Sequence, residues 1–193
     1  MFSLYSRFRN RIPVITMQIT VIEGSPHLKG ASSTIANRFV EGAREAGHTV
    51  DVVEAARLSI GACRSCNSCG SSGPCIQKDD MTDVRSKIMS SDMVVFVTPN
   101  FFCGFSAQLK TIIDRFYSFS GNLKTRNMKA VLIATLADKE DWNMDAIRIQ
   151  YDGMCRYLNM QDCGRVLAVG CGSAEAARAS RFMEEAYQLG RSL

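Results

Sequence analysis

The sequence has few of the features that mark membrane proteins, nucleic-acid binders or hydrolases. No apolar run approaches the roughly 20 residues that a membrane-crossing helix needs. Neither sign of charge dominates: 23 Lys and Arg stand against 19 Asp and Glu, for a net charge of +4. Arg7, Arg9 and Arg11 sit in the first eleven residues. Without them no basic stripe remains, which argues against a nucleic-acid surface. The N-terminal MFSLYSRFRNRIPVIT has scattered arginines and no apolar core segment, so it does not read as a secretory signal. Histidine occurs only as His27 and His48, and no Ser-His-Asp set can be drawn. No cysteine opens a CX5R phosphatase loop, and neither GxGxxG nor GK[ST] occurs.

What is present is ordinary globular composition, 46% hydrophobic and 22% charged. A chain of 193 residues can bury one substantial core. Residues 1–16 read as a disordered extension, the rival being a short arm packed on a partner subunit. Met17 opens a better strand than Met1, and residues 17–193 read as a single domain. QITVI (18–22), TVDVV (49–53), MVVFVT (93–98), KAVLIAT (129–135) and RVLAVG (165–170) are short runs rich in Val and Ile. Stretches with helical spacing lie between them. Ile35, Phe39 and Ala43 share one face, and Gly47 stands where a helix ends. Leu109, Ile112, Ile113 and Phe116 form a second stripe, and 143–158 and 173–190 close the chain. Strands apolar throughout are covered on both faces, as in parallel sheets. Five of them with helical crossovers give a doubly wound α/β domain. Such sheets bind ligands beyond the carboxyl ends of their strands.

Three of those ends carry candidate chemistry. The first strand runs into EGSPHLKGASST, where Gly24 permits a turn and Ser25, Ser32, Ser33 and Thr34 offer hydroxyls. A helix start with free N–H groups is a ready monophosphate cradle, to which His27 and Lys29 add positive charge. A Ser-rich capping loop would look the same. The third strand runs into PNFFCGF, residues 99–105. Pro99 stops the strand, Gly104 allows close backbone approach, and Phe101 and Phe102 suit a flat aromatic ligand. Folding of the loop onto the sheet edge is the plainer alternative. The fourth strand runs into ADKEDWN, 137–143, which serves either as a third ligand loop or as a helix cap with Trp142 as packing residue. Asp114–Arg115 reads as a structural pair at a helix end.

Four of the eight cysteines, Cys63, Cys66, Cys69 and Cys75, crowd into thirteen positions. Thiolates with two residues between them can wrap a [4Fe–4S] cubane, with Gly70, Gly73 and Pro74 turning the chain back for the fourth ligand. Structural zinc usually takes pairs with a longer gap between them. The third reading is that they bind nothing and line a subunit contact, stable disulfides being disfavoured in a reducing cytosol. Cys155, Cys163 and Cys171 read as small buried apolar residues.

GSPHLKGASST, CxxCxxCx5C with KDDM after it, TPNFFCGFSAQLKTIIDRFY and VLAVGCG occur in that order. Together they resemble the flavodoxin-like NAD(P)H-dependent FMN reductase family, including its iron–sulfur flavoproteins, over residues 17–193. The resemblance implies a five-stranded parallel sheet of order 2-1-3-4-5 with helices on both faces. It implies FMN as cofactor and NAD(P)H as co-substrate. Ser25, His27, Ser32, Ser33 and Thr34 then lie where the family holds the FMN phosphate. Pro99, Asn100, Phe101, Phe102, Cys103 and Gly104 lie where it holds the isoalloxazine and ribityl, with Ala137 and Asp138 near the other side of the ring. His27 stands where the family often has Arg, and Phe101 where it often has Tyr. Backbone N–H groups at 100–104 are expected to stabilise charge on the reduced ring. The implied function is an oxidoreductase passing electrons from NAD(P)H through FMN to a flavin, quinone or similar small acceptor. The alternative is an iron–sulfur flavoprotein fed by a redox protein, with Cys63, Cys66, Cys69 and Cys75 on a [4Fe–4S] cluster near the FMN edge. Either would be a cytoplasmic homodimer or homotetramer with no nucleic-acid or membrane partner.

Overall fold

In a computed structural model, residues 16–193 are described. The expected extension lies, apart from Thr16, outside the described residues. Five strands form one parallel sheet in the order β2-β1-β3-β4-β5, as expected. They are β1 Gln18–Glu23, β2 Thr49–Glu54, β3 Met93–Pro99, β4 Lys129–Thr135 and β5 Gln161–Ala168. The central strands β1, β3 and β4 are buried almost throughout, which is why they read as unbroken apolar runs. Helix α1 (Ala31–Glu45) packs with α6 (Ala174–Arg178) and α7 (Phe182–Arg191) on one face. Helices α2 (Met81–Ser90), α3 (Ala107–Arg115), α4 (Ser120–Lys124) and α5 (Asp145–Leu158) cover the other. No described helix is long and apolar enough to cross a membrane.

Local chemistry sets the boundaries. Ile35, Phe39 and Ala43 are fully buried, and Gly47, at φ +94°, ends α1 by donating to the Arg44 carbonyl. His48 follows in that turn and is buried, its Nδ1 accepting from the Met17 N–H. Two expectations need correction. β5 begins at Gln161, four residues earlier than the apolar run, because its first half is polar and carries Gly164 at φ +145° beside a register shift. The final helix is two, since Ser180 donates from both its N–H and its hydroxyl to the Ala177 carbonyl. Helix α2 was not anticipated at all.

The tightest packing joins α1 to α7. A Cβ on Gly42 would stand 2.2 Å from the Tyr187 carbonyl oxygen, and one on Gly190 2.2 Å from that of Phe39. Both obstacles are backbone, so a methyl can be accommodated only by moving a helix. Gly42→Ala should gain about 1 kcal/mol of helix propensity. It is nonetheless expected to melt several degrees below wild type, because overpacking costs roughly 1–3 kcal/mol or more. A thermal melt followed by circular dichroism decides the sign, and a raised midpoint would contradict this packing.

Candidate functional site

The carboxyl ends of β1 and β3 lie side by side, at the point where the strand order reverses. Their loops are stitched together. Gly24 N–H donates to the Val97 carbonyl at 2.8 Å, and the Ser106 hydroxyl donates to the Gly24 carbonyl at 2.6 Å. The same hydroxyl caps α3 by accepting from the Leu109 N–H. A Cβ on Gly24 would fall 2.6 Å from the Leu109 Cβ and 2.7 Å from the Ser106 Oγ, so this crossing requires glycine.

Above it opens a cleft of about 270 Å³, close to the lower end of the roughly 300–1,000 Å³ usual for small-molecule pockets. Ser25, His27, Gly30, Ala31 and Ser32 form one wall; Pro99, Asn100 and Phe101 form the second. Thr135, Leu136, Ala137, Cys171 and Gly172 form the third. The third wall is fixed by Cys171 N–H to the Leu136 carbonyl and Gly170 N–H to the Asp138 carbonyl, both 2.7 Å. Sequence reasoning did not assign Gly30, Ala31, Thr135, Leu136, Cys171 or Gly172. The place of Cys171 and Gly172 just beyond β5 is the signal that could have found them.

The first wall is built for an anion. Helix α1 starts at Ala31 after Gly30, which offers no side-chain cap. The N–H groups of Ala31, Ser32 and Ser33 precede the first intrahelical donor, the Thr34 N–H on the Gly30 carbonyl, so the fold leaves them free for a ligand. Not every nearby hydroxyl is free. Ser33 donates to the buried Glu23 carboxylate at 3.0 Å, and Thr34 donates to the Gly30 carbonyl at 2.8 Å. Ser25 exchanges hydrogen bonds with the His27 backbone. Ser32 makes no side-chain hydrogen bond among the described residues and lines the cleft. Burial, with some help from Glu54, raises the Glu23 carboxyl above its usual range against the pull of the Ser33 hydroxyl.

In the second wall, Asn100 Nδ2 donates to the Asn143 carbonyl at 2.7 Å, while its Oδ1 is buried without a partner. A ligand N–H or O–H would satisfy it. The amides expected to act at 100–104 are mostly committed. Asn100 N–H goes to the Thr135 carbonyl, and Phe101 and Gly104 bond each other. Those of Phe102 and Cys103 remain, both residues being left-handed at φ +46° and +60°. Phe102 and Cys103 are exposed, Phe102 completely, and do not line the cleft. Asp138 turns its carboxylate to the Glu140 N–H and the Asn143 amide, not to the cleft. Trp142 is exposed and Met144 precedes α5, so Asn143 does not cap that helix.

The cysteine loop lies elsewhere. Arg115, at the end of α3, donates to the Gly61 carbonyl at 2.8 Å and forks onto Asp79 at 2.7 and 3.1 Å. Tyr117 donates to Asn67 and Gly121 N–H to the Ser71 carbonyl. The loop is thus fastened at the far end of a nine-residue helix whose cap bonds the Gly24 turn, about 13 Å down its axis. Cys63 and Cys66 are exposed, Cys69 and Cys75 half-buried. Among the described residues no three Cys, His, Asp or Glu converge to hold a metal. Asp114 pairs with Lys110, so the pair expected between Asp114 and Arg115 is replaced by Asp79–Arg115. A further cleft of about 410 Å³ along β2 and α2 has mixed charge, Glu54, Asp80 and Asp83 against Arg57 and Lys87.

A doubly wound sheet with an anion-ready helix start and an apolar-walled cleft at its switch point defines a flavodoxin-like, mononucleotide-binding class of protein. The chain belongs to the NADPH-dependent FMN reductase family, whose model matches residues 17–177. It is 31% identical over 99 residues to an iron–sulfur flavoprotein of Archaeoglobus fulgidus, covering 51% of this chain and 45% of that one. It is 27% identical over 123 residues to an iron–sulfur flavoprotein of Methanocaldococcus jannaschii, 64% of each. The matched region thus spans about half the length of the curated relatives. In fold it is similar to an NAD(P)H:quinone oxidoreductase from Methanothermobacter marburgensis, with TM-score 0.73, 18% identity and coverage of 92% and 96% of the two chains.

Proposed function

We propose that the cleft binds FMN and that the protein is an NAD(P)H-dependent oxidoreductase delivering electrons to a flavin, quinone or similar small acceptor. The observation that carries this reading is the pairing of three free N–H groups at the start of α1 with the buried, unpartnered Asn100 Oδ1 across one cleft. An FMN phosphate suits the first, and a ribityl hydroxyl or ring N–H suits the second. Bound FMN would supply two-electron acceptance from a nicotinamide and release of those electrons singly or together. The chain binds and orients. Ala31, Ser32 and Ser33 donate N–H groups to the phosphate, the Ser32 hydroxyl adds a fourth donor, and exposed His27 borders it. Pro99 and Phe101 give the ring an apolar wall, and Ala137 with Gly172 gives it another. No side-chain nucleophile or general base is called for. The test is titration of flavin-free protein with FMN, then anaerobic mixing with NADPH or NADH. Quenching of flavin fluorescence, a raised melting temperature and rapid loss of the flavin absorption band are expected. An unmoved melting temperature at saturating FMN would defeat the reading.

A second reading keeps the flavin and adds a [4Fe–4S] cluster on Cys63, Cys66, Cys69 and Cys75, with a redox protein as donor. It is favoured by four left-handed residues, Ser65, Asn67, Gly70 and Ser71, within seven positions. Left-handed residues recur in the backbone nests that hold anions and clusters. The names of the curated relatives support it as well. The loop would have to close for the thiols to meet. Iron and sulfide assay of anaerobically purified protein decides it, and less than one iron per chain removes the cluster.

A further inference from the structure

Arg115 has donors to spare. A guanidinium carries five N–H groups in one plane. Nη1 gives one to the Gly61 carbonyl and one to Asp79, and Nη2 gives one to Asp79. The two that remain, on Nε and on the outer side of Nη2, lie side by side on one edge. That edge is the one that forks a carboxylate or a phosphate. Nε is buried without a partner among the described residues, in a side chain 2% exposed. A buried charged donor left without an acceptor carries its full desolvation penalty. Such groups in folded proteins ordinarily find a partner, so this one calls for a ligand.

Arg115 lines a cavity of about 80 Å³ between the cysteine loop and α2. Liquid water takes about 30 Å³ per molecule, so the space holds roughly two or three waters, or one tetrahedral oxyanion. Lys78 and Arg85 line it too, and no carboxylate does. Neither of them pairs with a carboxylate among the described residues. Arg85 is steadied over the Phe119 ring, 5.6 Å from its centroid. Asp80 and Asp83, close in sequence, line the separate cleft along β2. Met81 and Thr82 open α2 and bring the positive end of its dipole to the same wall. The Cys75 thiol, beside the guanidinium, is only a weak acceptor. Water would satisfy the spare donors but would not offset the charge of Lys78 and Arg85, whereas an anion does both.

We propose that this cavity is a binding site for a small phosphate-type oxyanion, held by the spare edge of Arg115, by Arg85 and by Lys78. The anion bridges the cysteine loop at Lys78, α2 at Arg85 and α3 at Arg115, and it covers Cys75. It thereby clamps the loop to the two helices. Free phosphate and the phosphomonoester of a nucleotide present the same chemistry to these groups. The proposal does not depend on flavin binding.

The test is titration calorimetry of the full chain with inorganic phosphate and, separately, with adenosine monophosphate, at constant ionic strength. Phosphate can also enter the start of α1. The titrations are therefore run on Ser32→Asp, in which that place is blocked, as well as on wild type. Saturable binding is expected in both. Arg85→Gln should raise the Kd roughly tenfold, and the more exposed Lys78→Gln roughly threefold, each with wild-type circular dichroism. Alkylation of Cys75 by iodoacetamide, read by mass spectrometry, should slow in the bound form while exposed Cys63 reacts unchanged. Tighter binding of adenosine monophosphate, with the same response to Arg85→Gln, supports the site with a nucleotide as the source of the phosphate. Tighter binding of inorganic phosphate supports it with the free ion. Binding that is absent, lost in Ser32→Asp or indifferent to Arg85→Gln overturns it.

Discussion

Arg115→Leu is expected to cost roughly 3–5 kcal/mol of stability at neutral pH and to free the cysteine loop. Arg115 is 2% exposed and is the largest fully buried side chain of the described residues. Its guanidinium holds Gly61 and Asp79, the two ends of the loop, against the end of α3. Removing it strands a mostly buried carboxylate, which is where the cost arises. For a chain of this size the melting temperature should fall about 6–20 °C. The pH dependence separates this cause from simple loss of packing. Burial would push the Asp79 carboxyl up, but the bond from Arg115 and the Gly61 and Met81 N–H groups outweigh it and hold it below its ordinary value. A carboxyl lowered in the folded state contributes stability above its unfolded value and loses it as pH falls through the folded one. Without Arg115 only the Gly61 and Met81 N–H groups oppose burial, so the folded value rises and the variant loses the stability that the lowered carboxyl contributes above its unfolded value. The deficit should therefore be largest near pH 7 and shrink on acidification toward about pH 3. A pH-independent deficit would mean that Arg115 acts by volume alone. Limited proteolysis between Gly61 and Asp79 should quicken in parallel.

That ion pair shows where the sequence was opaque. The central strands were legible because both faces of each are buried, leaving unbroken Val and Ile runs. Helix α1 was legible from the spacing of Ile35, Phe39 and Ala43 and from Gly47. Helix α2 escaped because only Met81, Val84 and Ile88 are buried among its ten residues, a stripe too thin to stand out beside the cysteines. The start of β5 escaped because an edge strand tolerates polar residues and Gly164. Asp79 and Arg115 lie 36 residues apart, and no local pattern joins them. At the candidate site the loops could be named from the strand ends, but not the use of each donor. Ser33 and Thr34 look like phosphate ligands in sequence, yet their hydroxyls are spent on Glu23 and Gly30. Satisfaction of hydrogen bonds is a property of three-dimensional neighbours.

Ser32→Asp carries the largest expected effect on ligand binding, and its two readouts should move apart. Ser32 is the second residue of α1, is 2% exposed and lines the cleft. A carboxylate at that position complements the helix dipole by about 0.3–1 kcal/mol and can accept the N–H groups left free in the first turn. The flavin-free variant should therefore melt no lower than wild type. The same carboxylate occupies the place of the phosphate and repels it, at about 4 kcal/mol per unit charge 4 Å away for an effective dielectric near 20. Solvent reaching the open cleft reduces this, and a rise in FMN Kd of about 100- to 1,000-fold is expected. Ser32→Asn has the same bulk without the charge and should lose no more than about tenfold. The three proteins are compared by fluorescence quenching at two salt concentrations, because the charge term weakens with salt and the steric term does not. If Ser32→Asp binds FMN as wild type does while its fold is intact, the phosphate does not sit at the start of α1. The cleft would then hold a ligand of another kind.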